Sequence, residues 1–173
     1  EIPHWQDDVW YWKKEATDWG WDWASEKEKY LHPKYAPVNR YAADIIGCLN
    51  NWVDGWVDWN MVLDRQGGPN WFKNWCIAPV IVDDKNDEVY FTPLYYVMAH
   101  FSKFMRPGAV KIGCEINNKD LMATAVKNPD GSIAVAIFNP TETKKSIDIQ
   151  LNNKKTIISI DAKALQTIII KPN

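Results

Sequence analysis

Apolar side chains recur at helical spacing in two stretches of the first part of the chain. In residues 36–51 they step by three or four, which predicts a helix with Pro37 in its first turn. Residues 92–108 show the same spacing, with Thr92 as a candidate N-cap and Pro107 at the stop. Both stretches therefore predict amphipathic helices.

Strands are predicted between and around these helices. The stretch 52–63 is rich in Val and Trp and predicts a buried strand, and residues 78–84 predict a second, short strand. The Gly- and Pro-containing cluster 64–70 between them is typical of a turn. Residues 1–35 mix polar and aromatic side chains without a clean period, which indicates a long loop or insertion.

After residue 108 the pattern changes to short apolar runs separated by turn residues. The turns "NPDGS", "NPTET" and "NNKK" separate three pairs of these runs. Such spacing is typical of an antiparallel β-sandwich or part of one. The predicted strands are 109–114, 121–128, 132–139, 145–151, 155–160 and 164–170.

Helix–strand–helix followed by an all-β region defines an α+β chain with a boundary near residue 108. Helix–strand–helix is one and a half units of a βα pattern and cannot close a sheet on itself. A complete (β/α)8 barrel needs about 250 residues. If residues 1–108 belong to such a barrel, they are only its last segment, followed by sandwich strands in 109–173.

Charge and composition exclude some classes of partner. The net charge is −2 and the sequence pI is about 5.9, whereas a nucleic-acid partner requires a basic face. No run of about 18 apolar residues occurs, so no membrane span is expected. The chain begins with Glu1 rather than methionine, which indicates processing or a longer parent protein.

The cysteines and tryptophans carry different information. Cys48, Cys76 and Cys114 are odd in number and form no CxxC motif, which predicts ordinary buried thiols rather than a zinc or disulfide framework. Eleven of the 173 residues are tryptophan. Because an indole is a flat amphipathic surface, this enrichment suggests a sugar or another planar-faced ligand, although large core residues explain most of it.

The segment "GWVDWNMVLDRQGGPNWFKNWCIAPVIVD", followed by "FTPLYYVMAHFSKFMRPGA", resembles the C-terminal part of the glucosylceramidase-like glycoside hydrolases of family 30. The motifs "DWN…L…GGPNW…N" and "HFSKF…PG" carry the resemblance, which runs from about residue 36 to 140. Residues 1–35 depart from it and look like an insertion of a bacterial branch. The resemblance implies a (β/α)8 barrel with an attached β-sandwich, in which 52–63 is barrel strand 8.

The resemblance also implies a retaining β-glycosidase of β-glucosides. A retaining mechanism uses two carboxyl groups about 5–5.5 Å apart and needs no metal or cofactor. Glu1 is followed by Ile-Pro-His-Trp and does not match the context of the family's nucleophile. We therefore expect both catalytic glutamates upstream of residue 1, and the chain alone to be inactive.

Four residues are implied as substrate-binding residues. The Trp of "DWN" lies against the bound sugar in the family and is Trp59 here, with Asn60 beside it. The Asn that follows "GGPNW" is Asn74, and the aromatic Trp75 adjoins it. An indole covers the apolar face of a pyranose and an amide bonds its hydroxyls, so both residue types suit a sugar site.

Other polar residues have structural interpretations. Asp58 neighbours Trp59, so we expect it to point to the other face of the strand and to hydrogen-bond inside the barrel. His100 lies next to Phe101 on a predicted helix, which favours packing over catalysis.

Two alternatives stay open: a non-catalytic carbohydrate-binding module that stacks sugars on Trp, and a structural piece without a ligand. The helix–strand–helix segment and the "GGPNW" loop favour the glycosidase, since a stand-alone binding sandwich needs neither. As partners we expect a β-glucoside and either the missing N-terminal part or a second copy, which would cover the open flanks of the strand. The resemblance implies a secreted or periplasmic protein.

Overall fold

The computed structural model describes residues 36–65, 67–69, 76 and 78–172. These residues form two compact units, one from Val57 to Tyr96 and one that joins Ala36–Trp56 to the chain from Val97 onward. The predicted Trp-rich loop at 1–35 lies outside the described residues. The predicted domain boundary near residue 108 stays a prediction.

Helices and strands follow one another in the order that the sequence predicts, with one strand added. The helices are α1 (Ala36–Asn50) and α2 (Pro93–Ser102). The strands are β1 (Val62–Asp64), β2 (Val80–Asp83), β3 (Glu88–Phe91), β4 (Val110–Ile112), β5 (Met122–Lys127), β6 (Ile133–Asn139), β7 (Lys145–Leu151), β8 (Lys154–Ile160) and β9 (Ala164–Ile170).

Helix α1 ends in a Schellman motif. The Val53 N–H donates to the Cys48 carbonyl (3.1 Å), and the Trp52 N–H donates to the Leu49 carbonyl (3.4 Å). The motif requires a left-handed residue at the position of Trp52, whose φ is 65°. The helix predicted over 36–51 is thus confirmed, and the chain turns sharply away from the helix axis just after it.

The apolar face of α1 packs on β5 and β6. Ala42 and Ile46 of that face have no exposed surface. At the end of the helix, the Asn50 side-chain amide donates to the carbonyl of Ala123 in β5, at 2.9 Å. Burial and a specific hydrogen bond together fix α1 on this sheet.

The predicted strand over 52–63 is wrong for most of its length. Only Val62–Asp64 forms a strand, and it pairs in parallel with β2, Val62 opposite Val80. Residues 52–55 are exposed and irregular. A strand requires a hydrogen-bonded neighbour, and β2 pairs with the preceding segment only at Val62, Leu63 and Asp64.

The strand predicted over 78–84 is confirmed as β2, and the sequence interpretation missed its antiparallel partner β3. The Thr92 hydroxyl donates to the carbonyls of Ala78 (3.0 Å) and Pro79 (3.1 Å), so it ties α2 to the start of β2 instead of capping the helix. In the described part of the chain, no helix is long and apolar enough to cross a membrane.

The β-sandwich is confirmed. Strands β4-β5-β6-β9 form an antiparallel sheet in that order, and β7-β8 form a hairpin. The inner faces meet around a core of Ala123, Ala125, Val135, Ile137 and Ile160. At the predicted Asp-Gly turn, Gly131 has a φ of 83°, as such a hairpin turn requires.

The two sheets of the sandwich leave an open groove of about 710 Å³ between them. Residues 112–119 line one side and residues 146–151, which belong to β7, line the other. Ile147, Ile149 and Ile170 face the core but are only partly buried. The sandwich core is therefore less completely covered along this side than around β6.

Candidate functional site

Trp59 presents its indole to solvent. Its side chain is 70% exposed, within the segment that leads into β1. The Asp58 carboxylate accepts a hydrogen bond from the Trp59 backbone N–H at 2.8 Å. Asp58 is half-buried. This bond is to the next residue of the chain, and the predicted hydrogen bond of Asp58 inside the barrel stays a prediction. Asn60, the second predicted site residue of this segment, is half-buried.

The chain after β1 forms a closed turn around Asp64 and Gly67. The Asp64 carboxylate accepts from the Gly68 N–H (2.8 Å), and the Cys76 N–H donates to the Gly67 carbonyl (3.2 Å). The segment between residues 67 and 76 thus has its two ends joined. Its members Asn74 and Trp75 are the other two predicted site residues and lie outside the described residues.

Gly67 is required in this turn for two reasons. Its φ of 86° lies in the left-handed region. A Cβ atom at this position would also lie 2.3 Å from the Cys76 carbonyl oxygen. The first glycine of the "GGPNW" motif is therefore explained by a close approach of two backbone segments.

A buried ion pair lies at the end of β2. Asp83 has no exposed surface, and its carboxylate is 3.1 Å from the Arg65 guanidinium. Burial alone acts to raise the pKa of Asp83. Hydrogen bonds from Asn86 and Lys85 and the charge of Arg65 outweigh it and hold the pKa below the ordinary value. The carboxylate stays ionised and closes the β2–β3 turn, which is a structural use of the charge.

His100 joins α2 to the outer strand of the sandwich. Its Nδ1 lies 2.9 Å from the Thr167 hydroxyl oxygen in β9, and that hydroxyl donates to the His100 carbonyl at 3.3 Å. Burial lowers the pKa of His100 from its ordinary value. These contacts give His100 the packing role predicted from the sequence.

The three cysteines are free thiols, as the sequence predicts, but each is partly rather than fully buried. Burial raises the pKa of each thiol. At Cys48 the charge of Asp44 raises the pKa further. Thiols with raised pKa values are weak nucleophiles, so these cysteines are poor candidates for catalysis.

Sequence reasoning missed one interaction near the candidate site. The Asp44 carboxylate on α1 accepts a hydrogen bond from the Trp56 indole N–H at 2.6 Å. Tyr41 meets the same indole edge-on, with ring centroids 5.3 Å apart. Asp44 lies one turn from Tyr41, at the border of the apolar face, and an acid there needs a nearby donor. That position is the signal that points to a partner.

Asp58 and Asp64 accept hydrogen bonds from the backbone of their own segment, while the Trp59 side chain is exposed and Asn60 is half-buried. This arrangement suits binding of a polar ligand with a flat apolar face rather than proton transfer. Residues 8–105 match the glycosyl hydrolase family 30 TIM-barrel domain, and residues 108–168 match the family 30 beta sandwich domain. The chain belongs to glycoside hydrolase family 30.

Family 30 relatives match most of this chain, and the chain spans about a quarter of their length. A predicted glucosylceramidase of Caenorhabditis elegans is 38% identical over 79% of the chain and 28% of its own length. The mouse lysosomal acid glucosylceramidase is 37% identical over 75% and 24%. An endo-1,6-beta-D-glucanase of Aspergillus fumigatus is 33% identical over 65% and 25%.

A solved structure gives the same result for the fold. The crystal structure of SrfJ from Salmonella typhimurium superposes with a TM-score of 0.77 at 25% identity. The match covers 82% of this chain and 33% of that one. The barrel end and the sandwich expected from the sequence are therefore those of family 30.

Proposed function

We propose that this chain is the C-terminal part of a retaining β-glycosidase that hydrolyses β-glucosides. The observation that supports this most strongly is an exposed indole, Trp59, in a chain of glycoside hydrolase family 30. An indole offers the apolar surface on which a pyranose ring stacks. Its position in the "DWN" motif is the one where the resemblance implies contact with the sugar.

The chain supplies binding groups in this proposal. Trp59 covers one face of the sugar, and Asn60 lies beside it. Asn74 and Trp75 extend the site from the segment closed by the Gly67 turn, where an amide bonds hydroxyls as donor and acceptor. The two catalytic carboxyl groups belong to residues upstream of this chain. The chain alone then binds a sugar without hydrolysing it, because a retaining mechanism needs both carboxyl groups.

The proposed substrate is a glucosylceramide-like β-glucoside. Two relatives are named as glucosylceramidases, at 38% and 37% identity. A second candidate is a β-1,6-glucan, because another relative is named as an endo-1,6-β-glucanase. Assay of the full-length parent protein on glucosylceramide, an aryl β-glucoside and a β-1,6-glucan separates the two. Turnover of the glucan alone would replace the first candidate by the second.

The role of Trp59 is tested by Trp59→Ala in the full-length parent. Loss of the stacking surface should lower kcat/KM by about tenfold or more, mainly through a higher KM. Trp52→Ala is the matched control, since Trp52 is 78% exposed and lies seven residues earlier. Equal kinetics for wild type and Trp59→Ala would contradict the proposed site.

We also propose that the parent protein is exported. The support is that one relative is named as a lysosomal enzyme and that the family resemblance implies a secreted or periplasmic protein. Fractionation of the native host with an antibody to this chain tests it. Recovery of the parent protein in the cytoplasm would contradict export.

A further inference from the structure

Trp56 is a fixed point in an otherwise exposed stretch of chain. Residues 51–55 are exposed, as is Val57, whereas Trp56 is half-buried. Its indole N–H donates to the Asp44 carboxylate at 2.6 Å, and its ring contacts Tyr41 at an interplanar angle of 65°. Hydrogen bonds to an ionised acceptor are shorter and stronger than neutral ones. The side chain of Trp56 is thus held in both position and orientation.

Asp44 is itself held by a rigid base. It lies in the middle of α1, between Ala42 and Ile46, which have no exposed surface. The helix packs on β5 and β6, and its end is bonded to the Ala123 carbonyl through Asn50. A series of contacts therefore runs from the sandwich sheet through α1 to the Trp56 indole.

We propose that Asp44 and Trp56 are positioning residues for the sugar-binding indole of Trp59. This inference rests on the function proposed for Trp59. Three peptide bonds join Trp56 to Trp59, so their Cα atoms lie within roughly 11 Å by chain geometry alone. Fixing Trp56 limits where the following residues can go. The Asp58 carboxylate then restricts the Trp59 backbone through the bond to its N–H.

Helix stability alone does not explain why an aspartate occupies position 44 of α1. Aspartate is a weak helix former in a helix interior, where Ala, Leu, Lys or Glu is more favourable. Its charge also acts on Cys48, whose Sγ lies 3.9 Å from the same Oδ2 atom. The carboxylate instead supplies the hydrogen-bond acceptor that the indole N–H of the half-buried Trp56 requires.

The test uses the full-length parent with Asp44→Ala and Trp56→Phe. Both remove the hydrogen bond, and Trp56→Phe keeps an aromatic ring against Tyr41. Each should lower kcat/KM by about tenfold, since misplacement of a binding group by about 1 Å is costly. The double variant should be no worse than either single variant, because both remove one interaction. Asp44→Asn should retain most of the wild-type activity, since its amide oxygen can still accept the hydrogen bond from the Trp56 indole.

A merely structural role gives a different result. In that case the melting temperature of Asp44→Ala falls while kcat/KM, measured well below melting, stays at the wild-type value, and the inference is overturned. Cys48→Ala is the matched control, because it removes the other group near Oδ2 and leaves Trp56 untouched. Asp54→Asn controls for loss of a negative charge, since Asp54 is exposed in the same stretch.

Trp59→Ala in the same assay separates two kinds of failure. If Trp59→Ala lowers kcat/KM and Asp44→Ala does not, the positioning role is wrong and the sugar role of Trp59 stands. If neither variant changes the kinetics, the proposed site is wrong and the positioning role falls with it.

Discussion

Two tryptophans three residues apart differ in what their indoles contact. Trp56 donates its N–H to a carboxylate of the same unit, whereas Trp59 leaves 70% of its side chain exposed. The sequence motif "WVDW" does not distinguish them. The distinction comes from tertiary structure, because the Trp56 indole reaches an acid on helix α1.

At the same scale, His100 gives the fold a pH dependence. Burial lowers the pKa of His100 from its ordinary value of 6.5, so the folded chain favours the neutral ring. The stability that the neutral His100 ring contributes to the fold is fully present above a pH of about 6.5. It is lost as the pH falls through the lower pKa of the folded state. Asp83 and Asp130 do not interfere, because their pKa values are held below 3.8.

We expect His100→Gln to reduce this pH dependence. Glutamine can keep a hydrogen bond to the Thr167 hydroxyl but carries no titrating proton. When the pH is lowered from 7.5 to 5, the urea concentration at the unfolding midpoint of the wild-type chain should decrease. The midpoint of the variant should decrease less. A variant with an unchanged pH slope would assign the dependence to another group.

At the scale of elements, a substitution at the end of α1 should stabilise the chain. Trp52 occupies the left-handed position of a Schellman motif at a φ of 65°, where glycine is favoured. Its side chain is 78% exposed, so little burial is lost on removal. Trp52→Gly should raise the free energy of unfolding by about 0.5–1 kcal/mol in a urea titration.

Asn152→Gly is the comparison for this substitution. Asn152 also has a positive φ, of 53°, but asparagine tolerates the left-handed region better than tryptophan. Its gain should therefore be the smaller of the two. A larger gain at Asn152 than at Trp52 would mean that the Trp52 ring contributes contacts that exposure alone does not reveal.

In the turn after β1, by contrast, we expect a substitution to lower the stability of the chain. Gly67→Ala should destabilise the chain by about 2 kcal/mol or more, since it adds left-handed strain to a backbone clash with Cys76. In the full-length parent it should also raise KM if Asn74 binds the sugar as proposed, because Asn74 follows this turn in the sequence. Gly55→Ala is the control, since a Cβ there meets no atom within 4 Å. Similar urea midpoints for the two variants would contradict the turn.

The elements differ in how much the sequence reveals. Local sequence patterns predict α1, α2 and the six sandwich strands, because helical spacing marks the helices and turn residues separate the apolar runs of the strands. The strand expected at 52–63 fails because pairing requires a neighbour, and propensity does not supply one. β3 was missed because "EVYF" is too short to show a period. The Asp44–Trp56 bond joins residues 12 apart, a pairing that no local pattern encodes.

For the whole molecule, the partial length has a measurable consequence. The isolated chain should show no turnover of an aryl β-glucoside, because the proposed catalytic carboxyl groups belong to the rest of the parent protein. Addition of the upstream part, in one chain or as a separate one, should restore turnover. Hydrolysis by the isolated chain above blank would contradict the assignment of both glutamates to upstream residues.

The isolated chain should also bind a hydrophobic dye such as ANS through the open groove of its sandwich. Ile149→Asp, at a partly buried position that lines the groove, should reduce the fluorescence. Ile157→Lys is the control, because Ile157 is 68% exposed and does not line the groove. Equal ANS fluorescence for both variants would mean that the dye binds an apolar surface outside the groove.

The hydrogen bond between Cys76 and Gly67 also bears on evolvability. Because it joins the ends of a ten-residue stretch, the residues between those ends can change in number and identity while the flanking strands β1 and β2 keep their register. Because Asn74 and Trp75 of the proposed sugar site belong to this stretch, we expect its exchange to change which substrate is bound. A chimaera that carries a glucanase relative's residues between the two joined positions should retain the fold and shift toward that relative's substrate.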